Sequence, residues 1–188
     1  MEGRRGTNLV KRRGRVPRRR GFTLIEAALT TVIVGLGILS MVELFAACTA
    51  QNAAANRMTT AMLLTSHIQE CMAGLPFNDP FNPGHFGPEI GETLATFNDV
   101  DDFDGSRFNP PIDSTRKPLP AQSQYTQVIS VMPVYTNQLS VNTNETTPTI
   151  AKTTYTGAVR VRVKILYQRT PADTATEVYR ADWIRLDR

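Results

Sequence analysis

The sequence predicts an α+β fold in which one long N-terminal helix packs on a small C-terminal antiparallel β-sheet. Three features predict it. Residues 22–50 are almost entirely apolar, residues 51–75 continue with helical spacing, and residues 125–188 contain segments in which apolar and polar residues alternate. Helices bury residues three or four positions apart, whereas strands bury every second residue. A basic block at 1–21 and a proline-rich stretch at 76–124 complete the chain.

The N-terminal block, residues 1–21, carries most of the excess positive charge. It holds nine of the 21 Lys and Arg residues and one of the 17 acidic residues. The formal net charge is therefore +4 for the whole chain but −4 for residues 22–188. If this block is a leader that is removed, the electrostatic attraction that nucleic-acid binding needs is removed with it. We therefore expect no nucleic-acid binding by the mature chain.

Residues 22–50 form the predicted membrane helix. Glu26 and Glu43 enclose 16 uncharged residues, and their separation corresponds to about 25 Å of helix, close to the thickness of a hydrocarbon core. Positive charge before the helix holds that end in the cytoplasm. The C-terminal domain is therefore expected on the periplasmic side of the inner membrane. The apolar stretch exceeds the core of a secretory signal peptide, so no cleavage beyond it is expected.

The border between the basic and apolar segments carries a specific motif. Residues 18–26 read RRRGFTLIE, which resembles the processing site of the type IV pilin-like family: type IV pilins, minor pilins and the pseudopilins of type II secretion. The resemblance implies that a prepilin peptidase cleaves after Gly21 and methylates the new amino group of Phe22. It also implies that Glu26 presents its carboxylate to the N-terminal ammonium of a neighbouring subunit. The alternative for Glu26 is an acidic residue that favours the N-terminal end of the helix dipole.

The same resemblance implies a function and a set of partners. The chain is expected to be a structural subunit of a pilus or pseudopilus. Its partners would be the peptidase, other pilin or pseudopilin subunits, the inner-membrane assembly platform and the lipid bilayer. Residues 35–39 and 61–70 are more similar to V-type minor pilins and I-type pseudopilins than to abundant major subunits. The acidic residues at 99–105 are similar to an element of D-type minor pilins of the mannose-sensitive haemagglutinin pilus. The leader is longer than is common in the family. The competing hypothesis is a single-span anchored ligand-binding protein that uses the motif only for export.

Residues 51–75 are predicted to continue the helix as an amphipathic segment that ends at Gly74 and Pro76. Residues three or four positions apart form the predicted buried face, which consists of Met58, Met62, Thr65, Ile68, Met72 and Leu75. Cys48 and Cys71 lie on one predicted helix, about 35 Å apart, which is beyond disulfide reach. We expect both to be small packing residues.

The 76–124 segment is predicted to be a long ordered loop with an acidic cluster. The cluster contains Asp99, Asp101, Asp102 and Asp104. Phe103 and Pro110 occupy the fifth and twelfth positions of an EF-hand alignment, where ligands are required, so an EF-hand is excluded. The favoured interpretation is a solvated acidic turn without a cofactor, and the alternative is a calcium loop of another kind.

The C-terminal segment is predicted to form three antiparallel strands at 125–135, 159–165 and 177–186. Arg160, Arg162 and Lys164 alternate with apolar residues, and we expect them on a solvated face, paired with Glu177 and Asp182 of the next strand. An anionic partner is the alternative. With two histidines in the sequence, and with neither metal-ligand spacing nor a nucleophile or phosphate-loop motif, we do not expect an enzyme.

Overall fold

The computed structural model describes residues 21–79, 82, 84–140 and 150–187. The predicted leader up to residue 20 and most of the connection at 137–149 lie outside these residues. Helix α1 covers Leu24–Ala73, and the strands are β1 (Arg107–Phe108), β2 (Tyr125–Pro133), β3 (Ala158–Tyr167) and β4 (Thr176–Leu186). Short 3-10 turns lie at Asp101–Phe103 and Pro120–Gln122. The predicted α+β fold is confirmed.

The four described strands form one antiparallel sheet in the order β1-β2-β3-β4. Val161 on β3 lies opposite Val131 on β2 and Trp183 on β4. The three predicted strands are present with nearly the predicted bounds. Strand β1 was not predicted, because a two-residue strand shows no alternation and lies in the segment expected to be a loop.

The chain divides into two compact units at the boundary between Thr49 and Ala50. In the first unit α1 is exposed at every described position. Helix α1 is long and apolar enough to cross a membrane. A helix that is apolar on all sides is not stable in water and needs lipid or other helices around it.

In the second unit, the later part of α1 packs on the sheet. Its buried residues recur three or four positions apart and are Ala61, Leu64, Thr65, Ile68, Cys71 and Met72. They share a core with residues of β2 and β3, including Ile129, Val161 and Val163. The predicted face was correct for Thr65, Ile68 and Met72 and wrong for Met58 and Met62, which are exposed. Cys71 packs as predicted, whereas Cys48 is exposed, and both thiols are free.

Gln127 on β2 connects three elements inside this core. Its side chain is fully buried. The amide nitrogen donates to the carbonyls of Leu64 on α1 (2.9 Å) and Ile112 (3.0 Å), and the amide oxygen accepts from the Ile112 N–H (2.8 Å). The 76–124 segment is therefore held to both the helix and the sheet.

The opposite face of the sheet differs from the prediction. Arg160 and Arg162 are buried, so the expected solvated face was wrong for both. Arg160 donates to the carbonyl of Leu139, which lies in the β2–β3 connection. Arg162 makes a two-point contact with Asp182, at 2.8 and 2.6 Å, as predicted. Glu177 instead binds Arg180 on its own strand.

Candidate functional site

The N-terminal segment places the predicted processing residues in the open. Gly21 and Phe22 are exposed and precede the first residue of α1. Apart from Gly21 itself and its chain neighbours, no heavy atom of the described residues lies within 4 Å of the position that a Cβ on Gly21 would occupy. A glycine at this position is therefore not required by the fold of the described residues. An enzyme that cuts after it would have direct access to the peptide bond.

Thr23 begins the helix by capping it. The Glu26 N–H donates to Thr23 Oγ1 at 3.3 Å, which satisfies one of the free backbone donors at the helix N-terminus. Thr23 and Glu26 have the spacing of a capping box. The Glu26 N–H thus helps to cap the helix, a role that does not involve the Glu26 carboxylate.

The Glu26 side chain is exposed on the first turn of α1. Within the part of the chain that the structure describes, no side chain forms an ion pair with it. Glu43 is also exposed, and these two are the only charged side chains between residues 22 and 56. A carboxylate in an apolar environment is costly unless a cation or a proton neutralises it.

Apolar side chains surround the two carboxylates on all sides of the helix. From Phe22 to Phe45 the large apolar residues are 53% to 91% exposed. The hydroxyl groups within this stretch are already satisfied, because Thr30, Thr31 and Ser40 donate to the carbonyls four residues earlier. This surface is therefore apolar apart from two carboxylates, and the hydroxyl groups of Thr30, Thr31 and Ser40 need no partner outside the helix.

The acidic cluster at 99–104 is buried rather than solvated. Asp99, Asp101 and Asp102 are at most 5% exposed. The expected solvated turn was therefore wrong for these three residues. Their oxygens instead accept backbone N–H groups: Asp99 from Asp102, Asp102 from Asn98 and Asp99, and Asp101 from Gly87.

Asp104 has a structural role at the edge of the sheet. Strand β1 is too short to pair with the whole of β2, and the Val131 N–H donates instead to Asp104 Oδ1 at 2.9 Å. The other oxygen, Oδ2, binds the ammonium group of Lys152. Asp104 therefore covers an edge position that would otherwise expose an unpaired strand donor.

Burial changes the protonation of this cluster. The pKa of Asp99 is raised to about 8, mainly by burial and secondly by the charge of Asp101. Burial also raises the pKa of Asp101 and of Asp102. With a pKa of about 8, the Asp99 carboxyl group holds its proton at neutral pH, which avoids the cost of a buried charge.

Of the described residues, a different set brings three acidic groups together. Oxygens of Glu89, Glu92 and Asp102 lie within 4.8 Å of one another. Asp102 is the member that the sequence identified, and the two glutamates come from the preceding loop. Asp99, Asp101 and Asp104 do not belong to this group, and calcium binding by the predicted set stays a prediction. Asp102 lies ten positions after Glu92, and no spacing signal in the sequence connects it to the two glutamates.

The predicted processing, assembly and metal residues lie in these two regions. Of the two, the N-terminal segment has exposed residues and a carboxylate that forms no ion pair within the described residues. Gly21, Phe22 and Glu26 lie within six residues and face outward. The acidic residues are mostly bound to backbone donors of their own chain. Searches of protein-family models, of curated proteins and of solved structures found no match to this chain.

Proposed function

We propose that the chain is a structural subunit, a minor pilin or pseudopilin, of a type IV pilus or a type II secretion pseudopilus. In this proposal a prepilin peptidase cleaves after Gly21 and methylates the amine of Phe22. One observation carries the proposal: an exposed Glu26 carboxylate without a described partner lies four residues after Phe22, at the start of the part of α1 that is apolar on every side.

Cleavage changes the charge of the N-terminal end. It removes the nine cationic side chains of residues 1–21, which hold that end at the cytoplasmic face of the inner membrane. It also creates an ammonium group on Phe22, where none existed before. The end of the helix then carries one positive and one negative group instead of a large positive block, so it can leave the membrane surface at lower cost.

Assembly would pair these two groups between subunits. A carboxylate and an ammonium group are each unfavourable in an apolar environment, and each compensates for the other when they meet. Glu26 of one subunit would receive the Phe22 ammonium of the next. The exposed apolar side chains of α1 would then pack against the same helix of neighbouring subunits instead of against lipid.

The satisfied hydroxyl groups support the same route. Thr30, Thr31 and Ser40 bond within their own helix, so neither lipid nor a packed helix bundle leaves them unpaired. The helix can therefore pass from one environment to the other without losing hydrogen bonds. The assembly platform of the inner membrane would drive that transfer, and the C-terminal head would lie on the periplasmic side.

Replacement of Glu26 tests the proposal in the native host. We expect Glu26→Gln to insert into the membrane normally but to fall at least about tenfold in sheared filament fractions, since an uncompensated ammonium group remains in the core. Glu43→Gln is the matched control, because it makes the same change farther along α1, and it should be incorporated normally.

The outcome separates the proposal from its main competitor. If Glu26→Gln reaches the filament fraction as well as the unmodified chain does, Glu26 has no assembly role. The chain would then be better described as a single-span anchored protein whose head binds a ligand. Loss of the variant from the membrane fraction as well would show a folding or insertion defect, in which case Glu26→Ala and Glu26→Asp are compared for insertion.

A further inference from the structure

Residues 89–92 form a tight turn whose tip is an isoleucine. The side chain of Ile90 is fully exposed, more than any other large apolar side chain that the structure describes. Turn positions favour glycine, proline and small polar residues, and an apolar side chain that stays in water loses the free energy of burial. An isoleucine at this tip therefore gains from any contact that buries it.

This segment, the isoleucine turn, is held in shape by hydrogen bonds of its own. The Glu92 N–H donates to the Glu89 carbonyl at 3.1 Å, and the Glu89 N–H donates to Glu92 Oε2 at 3.0 Å. Gly91 has a φ of 93°, which a turn of this kind requires at its third position. Before the turn, the Gly87 N–H donates to buried Asp101 at 2.8 Å. A preformed turn loses little conformational freedom when its tip is buried against a partner.

The same unit of the chain contains an apolar cavity of about 280 Å³ between the end of α1 and strand β4. Apolar side chains form most of its wall, including Met72, Val100 and Trp183. Arg185 is the single charged residue of the described lining. Pockets that are mostly apolar with few polar groups are suited to bind apolar groups. This space, the α1–β4 cavity, shares no described residue with the isoleucine turn.

The turn and the cavity carry opposite charges. Two carboxylates, Glu89 and Glu92, flank the isoleucine. On the cavity side, Arg185 Nη2 donates to the carbonyls of Ala73 (3.3 Å) and Leu75 (2.7 Å), and within the described residues the guanidinium forms no ion pair. A guanidinium group has five N–H donors, so others can bind a carboxylate.

We propose that the α1–β4 cavity receives the isoleucine turn of a second copy of the chain. Ile90 of one copy would lie against Trp183 of the other, and a carboxylate of the turn would meet Arg185. Polarity and charge both match, because an apolar tip between two carboxylates meets an apolar wall beside one cation. The contact uses residues of the second unit alone.

The inference rests on the proposed function, since an assembly that brings many copies side by side gives so small a contact its use. Because the turn and the cavity share no described residue, each copy can donate its turn to one neighbour and receive the turn of another. Head-to-tail contacts of this kind extend into helical filaments when they do not close into a ring.

Photocrosslinking of the full chain in detergent micelles tests the contact. The probe is p-benzoylphenylalanine in place of Gln69, which is exposed and lines the cavity. A mixture of isotopically labelled and unlabelled copies identifies adducts that join two chains. We expect such adducts to contain the peptide with residue 90. Ile90→Ser should lower their yield at least about tenfold, since burial of an isoleucine contributes a factor of that size.

Two variants serve as matched controls. Ile90→Leu keeps an apolar side chain of the same size and should retain the adduct. Leu63→Ser removes another exposed apolar side chain of the second unit and should also retain it. Denaturant unfolding followed by Trp183 fluorescence checks that each variant is folded. Ile90→Ser should fold normally, because its side chain is fully exposed.

Three results would overturn the contact: adducts confined to single chains, adducts between chains that lack residue 90, or an equal yield from Ile90→Ser. Detergent micelles contain no filaments, so each of these results contradicts the docked turn and leaves the proposed function standing. A chain that forms the adduct in micelles but is absent from filaments of the native host contradicts the proposed function instead.

Discussion

Asp99 carries a buried carboxyl group beside that of Asp101. Burial and this neighbour raise its pKa from 3.8 to about 8, so between these values the folded chain holds a proton that the unfolded chain has lost. The folded state then binds more protons than the unfolded state, and its stability falls as pH rises through this window. Asp182 has its pKa lowered by Arg162, so its stabilising effect is lost only at lower pH.

We expect the free energy of unfolding to fall by about 3 kcal/mol between pH 5 and pH 7, because one additional proton bound by the folded state changes it by about 1.4 kcal/mol per pH unit. Denaturant unfolding of the full chain in detergent, followed by the fluorescence of Trp183, measures this value. Asp99→Asn keeps an oxygen to accept the Asp102 N–H and removes the titration, so its dependence on pH should be smaller. A stability that rises over this pH range would contradict the buried, protonated Asp99.

The fold of the described residues does not require a glycine at position 21, and in the proposed function the peptidase requires it. Because a Cβ at this position meets no described atom within 4 Å beyond its chain neighbours, Gly21→Val should insert and fold normally. A peptidase that approaches the bond closely would be hindered by the added side chain, so nearly all of the chain should keep its leader. The mass of the chain in membrane fractions measures cleavage. Gly37→Val, which also enters open space, should be cleaved normally; cleavage of both variants would remove Gly21 from the processing site.

At the scale of the elements, Gln127 holds α1, β2 and the 76–124 segment together. Replacing it with Met keeps the approximate volume but leaves the buried N–H and carbonyl of Ile112 without their side-chain partner. An unsatisfied buried polar group costs about 1–3 kcal/mol, so we expect Gln127→Met to lower the free energy of unfolding by roughly 2–5 kcal/mol. Trp183 fluorescence in denaturant measures it. Gln124→Met, at an exposed position, is the control and should change stability little.

The elements that could be predicted from the sequence are those with a repeated pattern. Helix α1 and the three long strands follow from apolar residues three to four or two positions apart. Strand β1 and the contacts of Gln127 could not be predicted, because they depend on tertiary pairing. Arg160 and Arg162 were placed on the correct face, but the contact of Arg160 with the Leu139 carbonyl depends on the β2–β3 connection, which has no periodic pattern.

The candidate site divides in the same way. Gly21, Phe22 and Glu26 are contiguous with their signal, so the sequence identified them and the structure places them in the open. In the cluster of Glu89, Glu92 and Asp102, the aspartate lies ten positions after the nearer glutamate, and no spacing pattern links them. Only the folded second unit brings the three residues together.

At the scale of the whole molecule, the two units have different chemistry. The first presents apolar side chains and two carboxylates on an exposed helix, whereas the second buries its apolar residues between α1 and the sheet. In the proposed function, a subunit with such a helix is held in a membrane and is then transferred into an assembly of helices. We propose that this transfer occurs after cleavage at Gly21.

The intact mass of the chain recovered from purified filaments of the native host tests that claim most directly. The proposal predicts a species that begins at Phe22 and carries one methyl group on its amine. A chain that keeps residues 1–21, or one that stays entirely in the membrane fraction while filaments form, would contradict the proposed function.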